Sequence, residues 1–147
     1  MRFGLVLPIQ KQGAPLEDLL DELRAEVRAA DQAGFDAFFF PEFHQAHGGA
    51  VVSPLLVGAA LAEGTQRIRA GTAVTATPLH HPVRLAEDVL MLQYLTRGRA
   101  LLGVGIAHQV PDFELYGIDR EARTEILDEQ LAILRACWSG RPFDFQG

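Results

Sequence analysis

Glu42 and His44 stand two residues apart, just after the apolar run Phe35–Phe40 and its closing Pro41. Imidazole is the side chain whose ordinary pKa lies nearest neutrality, so His44 suits proton transfer, with Glu42 orienting it or fixing the loop. The same two residues also fit an ordinary polar loop pair. Two further segments bear on a site. Gly71-Thr72-Ala73-Val74 and Gly103-Val104-Gly105 each end an apolar run in small residues, which let a flat ligand approach the backbone. The GxG at 103–105 is not a dinucleotide fingerprint, because the later glycine and the acidic partner are missing. His80 and His81 precede Pro82 with no Cys or carboxylate at metal-ligand spacing, so no metal site is expected. Cys137 sits beside Trp138 on an apolar helix face and reads as packing.

The elements that must position these residues follow from periodicity. Apolar runs at Phe3–Ile9, Phe35–Phe40, Ile68–Val74 and Ala100–Val104 predict four strands. Between them lie helical repeats. The first carries Leu16, Leu19, Leu20, Leu23, Val27 and Ala30 and stops at Gly34. The second follows the Ser53-Pro54 start and stops at Gly64. The third runs from Pro82 to a stop at Gly98. His108–Ile118 reads as a loop that can hold a short helical turn. Asp119 is expected to cap a fourth helix that carries Ile126, Leu127, Leu131, Ile133, Leu134 and Trp138. Arg84 is expected to pair with Glu87 or Asp88, and Arg123 with Glu129 or another nearby carboxylate.

The order is strand-helix, four times over, which implies parallel strands with right-handed crossovers. Such strands build sites at their C-terminal ends, where all the candidate residues fall. Four units fit either a small open sheet or half of an eight-fold barrel, whose usual size is about 250 residues.

Composition narrows the partners. The 147 residues form one expected domain, 48% hydrophobic and 22% charged. A formal charge of −6 argues against nucleic acid or an anionic membrane as partner. One cysteine excludes an internal disulfide and fits a reducing compartment. With no signal-like N-terminus and no membrane-length run, a cytoplasmic protein is expected.

The pieces AGFDAFFFPEFH, RIRAGTAVTATPLHHPVRLAEDV, LTRGRALLGVG and DFELYGID together resemble the bacterial luciferase-like flavin monooxygenase family. Their order and spacing match the N-terminal part of that family's fold. The resemblance implies an α/β, (βα)4 parallel half of a TIM-type (βα)8 barrel. It implies reduced flavin mononucleotide (FMN), or in some branches a deazaflavin coenzyme, at the C-terminal strand ends, with monooxygenase members reacting the reduced flavin with O₂ to oxidise a small organic substrate. A separate flavin reductase is the implied partner. Carried onto this chain, the catalytic residues are His44 and Glu42, and the cofactor-facing residues are Thr72, Ala73, Val74, Gly105 and His108. Ala73–Val74 is the implied position of a non-proline cis peptide. The family's Glu-His-His appears here as Glu42-Phe43-His44, and Ile106 stands where many members place a phosphate-binding arginine. The alternative is a non-catalytic flavin-binding or partner-completing module. A half-barrel also leaves open edges and an apolar face, so a homo-oligomer or a complementing subunit is expected.

Overall fold

A computed structural model describes residues 1–7, 15–44 and 53–145. Pro8, Ile9, Gly13, the residues from Gln45 to Val52 and the last two residues lie outside the described ones.

The described elements begin with β1 (Gly4–Val6), α1 (Leu16–Ala33), β2 (Ala37–Phe40) and α2 (Pro54–Ala62). They continue with β3 (Arg69–Thr72), β4 (Thr75–Ala76), a 3₁₀ turn (Thr77–Leu79) and α3 (Pro82–Leu95). The last are β5 (Ala100–Leu101), β6 (Val104–Gly105), α4 (Val110–Tyr116) and α5 (Arg123–Cys137). Strands β1, β2, β3 and β5 form one sheet in that order, with every pairing parallel. Strands β4 and β6 form a second parallel pair.

Helix α1 buries Leu19, Leu23, Val27 and Ala30, a stripe at helical spacing. It ends at Gly34, whose φ of 88° closes the turn with N–H bonds to Ala30 and Asp31. The stripe meets Phe38, Phe40, Ile68 and Ala70 from the sheet and Leu61 and Ala62 from α2. Burying this face is the main stabilising contribution, at roughly 25 cal/mol per Å² of apolar surface. Asp31 ties α1 to the start of β3, accepting N–H bonds from Gln66, Arg67 and Ile68 at 2.8, 2.9 and 2.7 Å. A second core joins Leu85 and Ala86 of α3 to Leu134 of α5.

The structure departs from the sequence reading in four places. The third and fourth strands are each broken in two, at residues 73–74 and 102–103. The segment read as a loop contains α4, held by Phe113 packing against Ala76 and Leu79. Seven residues are too few for periodicity to declare a helix. Asp119 does not cap α5, which starts at Arg123; its carboxylate accepts the Glu121 N–H at 3.0 Å in the preceding turn. Ser53 occupies the α2 N-cap position without a side-chain capping bond. Of the surface pairs, Arg84 meets Asp88 at 2.7 Å, and Arg123 approaches Glu121 at 3.8 Å, not Glu129. No helix among the described residues is long and apolar enough to cross a membrane.

Candidate active site at the strand ends

Pro41 ends β2 and turns the chain so that Glu42 lies across the neighbouring strand end, its N–H donating to the Val74 carbonyl at 3.3 Å. The Glu42 side chain is only 1% exposed. A buried carboxylate needs partners, and this one has three. Oε2 accepts the backbone N–H of Ala76 at 2.8 Å. Oε1 accepts from His44 Nε2 at 3.0 Å and from His80 Nε2 at 2.7 Å. Burial alone raises the Glu42 pKa. The His80 hydrogen bond and charge, the Ala76 N–H and the His44 charge outweigh it, and the pKa falls below its ordinary value. Glu42 is therefore an anion at neutral pH and acts only as an acceptor.

That assignment fixes the rest of the chain of contacts. Both imidazoles must present an Nε2–H to Glu42. In neutral His44, Nδ1 is then an acceptor, and it lies 3.1 Å from the Tyr116 hydroxyl on α4. Burial first, then the charges of Glu42 and Asp112, raise the Tyr116 pKa, so the phenol keeps its proton to donate. The Tyr116 and His44 rings meet edge to face with centroids 5.0 Å apart. His80 is anchored from α5, where Gln130 Nε2 donates to its carbonyl at 2.8 Å.

The strand breaks are held by Thr72. Its hydroxyl donates to the Gly103 carbonyl at 2.9 Å and accepts from Gly103 N at 3.1 Å and from the Thr75 hydroxyl at 3.0 Å. This uses all the hydroxyl's bonding capacity, leaving only the Thr72 backbone for a ligand. The Ala73–Val74 peptide that follows is cis. The glycines here serve the protein's own packing. A Cβ on Gly103 would collide with the Thr72 carbonyl, and one on Gly105 would lie 2.6 Å from Val74 Cγ2. The space that the sequence suggests for a flat ligand is thus taken by the neighbouring strand.

Glu42 and His44 come together as the sequence reading anticipates, and Ala73, Val74 and Gly105 line the adjacent strand ends. His108 is exposed beyond β6 and is not joined to the Glu42 network. Sequence reasoning missed His80 and Tyr116. They lie 38 residues from Glu42 and 72 from His44, respectively, so no local spacing reveals them. Phe43 packs against the core between the helices and the sheet. Among the described residues, no group of three or more His, Cys, Asp or Glu is arranged to hold a metal ion.

Alternating parallel strands and helices, with a buried acid–imidazole network at the C-terminal strand ends, define a parallel α/β protein with a candidate site where such folds build them. Known proteins narrow this class. The family model for luciferase-like monooxygenases matches residues 1–147, and the chain belongs to that family. It is 37% identical over 110 residues to the 4-hydroxyprotoasukamycin monooxygenase of Streptomyces nodosus subsp. asukaensis, covering 75% of this chain and 30% of that protein. The monooxygenase RslO1 from Streptomyces bottropensis superposes with a TM-score of 0.93 at 26% identity, covering all of this chain and 46% of that one. The oxygenating constituent of 3,6-diketocamphane monooxygenase from Pseudomonas putida, a type II Baeyer–Villiger monooxygenase solved with FMN, superposes at 0.89 with 25% identity. That match covers all of this chain and 42% of the other. The chain thus spans less than half the length of these proteins.

Proposed function

We propose that residues 1–147 form one unit, the N-terminal half-barrel of a flavin-dependent monooxygenase that oxidises a small organic substrate. The observation that carries this reading is the Glu42-centred network at the mouth of the parallel strands, in a chain of the luciferase-like family. Val74 and Ile106 add an exposed apolar surface beside the strand ends, 44% and 39% exposed, which fits a flat aromatic ring. The turn after β6 fits the ring but not the phosphate. Ile106 offers no charge, and exposed His108 is the nearest basic side chain to it in sequence. Phosphate contacts then fall to the part of the barrel outside this chain.

A reduced flavin, when bound, supplies electrons to O₂. This chain's residues supply position and protons. The backbone from Thr72 to Val74 and the Val74 side chain form one wall. Tyr116 and Glu42 hold the His44 ring from both sides, so a proton can be held at Nδ1 or released there without the ring moving. Phe43 occupies the position of the family's first histidine, so proton transfer rests on His44. FMN is preferred to a deazaflavin because the 3,6-diketocamphane protein carries it. A separate reductase as electron source fits a protein described as an oxygenating constituent.

A second reading, a flavin-binding module without catalysis, is favoured by Phe43 facing the core and by Ile106. Titration of the purified chain with oxidised and reduced FMN, followed by flavin fluorescence, separates the two. Saturable binding with O₂-dependent turnover of the reduced form supports the enzyme. Binding without turnover supports the module. Absence of binding by the lone chain, and also by a chain extended to barrel length, would exclude both.

A further inference from the structure

We propose that His80 is a positioning residue that sets the protonation state of His44 through the carboxylate they share. The geometry is specific. One oxygen, Glu42 Oε1, accepts from both Nε2 atoms, at 3.0 Å from His44 and 2.7 Å from His80. A single buried carboxylate can neutralise one imidazolium. A second positive charge on the other side of the same oxygen would be uncompensated in a poorly solvated site. Protonation of one ring therefore opposes protonation of the other, and the two titrate as a pair.

The two imidazoles face different surroundings. His44 is enclosed, its side chain 11% exposed, with Tyr116 of α4 on its far side and the Asp112 charge acting on that phenol. The His80 side chain is 33% exposed and lines a cleft of about 170 Å³ between α2 and α3. The charged groups facing that cleft are Glu42, Arg84 and Asp88, and Arg84 and Asp88 are paired with each other. His81 adjoins His80 in the chain, and Gln130 of α5 contributes only a neutral amide. Protons from solvent thus reach His80 through this cleft between α2 and α3. A charged His80 keeps His44 neutral, with Nδ1 free to accept the Tyr116 proton. A neutral His80 lets His44 take up a proton. The use of this coupling in oxygenation rests on the flavin reading above, but the coupling itself is a property of this chain.

The test is ¹⁵N NMR of histidine-labelled protein across pH, comparing the unaltered chain with His80→Gln and His44→Gln. Far-UV circular dichroism checks that each variant folds. In the unaltered chain the two rings should titrate in two steps separated by more than about one pH unit, the threshold for a coupled pair. Each variant should leave its remaining ring titrating in one step between the two. At neutral charge both rings should show protonated Nε2 and bare Nδ1 in the case of His44. Independent single-step curves that neither substitution moves would overturn the proposal. No flavin is needed, so coupling in this chain, with no FMN binding either by it or by a chain extended to barrel length, would remove the flavin reading and leave this one standing.

Discussion

The two faces of the four-stranded sheet differ in how completely they are covered. On the helix side, the register aligns Leu5, Phe38, Ala70 and Ala100, and Phe38 and Ala70 are fully buried under α1 and α2. On the other side the same register aligns Val6, Phe39, Gly71 and Leu101. There Val6 is 66% exposed, and Phe39 and Leu101 are half-buried. Adjacent residues of one strand, Phe38 and Phe39, thus have the same chemistry and different environments. One face is a finished core. The described residues leave the other uncovered, as expected for barrel strands whose remaining members belong to another segment or chain.

The largest effect should come from breaking this contrast directly. Phe38→Ala should cost about 3–5 kcal/mol, because it opens a cavity in a closed core. Phe39→Ala should cost about 1–2 kcal/mol, in line with its partial burial. Urea unfolding of both variants gives the comparison, and equal losses would mean that the inner face is covered in solution. Light scattering adds the second check. A second copy or partner on the inner face would raise the mass above that of one chain and protect Phe39.

The site lies where the two faces meet at the strand ends, and it should respond to acid. The Glu42 pKa is held below its ordinary value of 4.5, so the folded state binds this proton less readily than the unfolded one. The resulting stability is fully present above that ordinary value. It is lost as pH falls through it and then through the lowered value. Glu42→Gln should cost about 1–3 kcal/mol at neutral pH, through weakened bonds to two imidazoles and to Ala76 N–H. The difference between the two proteins should shrink as pH drops below that window. Thermal melts from pH 7 down to pH 3 measure it, and a gap independent of pH would show that Glu42 is not ionised in the folded chain.

The covered face was legible in the sequence and the site only partly so. Leu19, Leu23, Val27 and Ala30 declare a helix face by spacing, and the apolar runs declare strands. Glu42 and His44 are neighbours in sequence, so their pairing could be read directly. The His80 contact crosses 38 residues and forms only because β4 and the 3₁₀ turn carry that segment back over the end of β2. Tyr116 depends on α4, whose seven residues are fixed by Phe113 burial and not by any repeat. The strand breaks were hidden for a related reason. Continuous apolar runs specify burial, but they do not show where Thr72 turns its hydroxyl to Gly103.

Two glycines give the finest test of the contrast between the helix side and the strand ends. Gly103→Ala would drive a Cβ into the Thr72 carbonyl, which is backbone and cannot swing aside. Such overpacking costs about 1–3 kcal/mol, and it should also shift the Val74 wall and weaken FMN binding wherever that binding is measurable. Gly58 lies inside α2 on the helix side, and an added Cβ there would meet only the Ala70 Cβ, at 4.0 Å. Gly58→Ala should therefore stabilise the chain by about 0.5–1 kcal/mol, because alanine loses less backbone freedom in a helix and the contact is ordinary packing. Urea midpoints moving in opposite directions would show that strand-end glycines are required by contact while the helix glycine is not. A destabilised Gly58→Ala would instead mean that α2 and β3 are already packed to their limit.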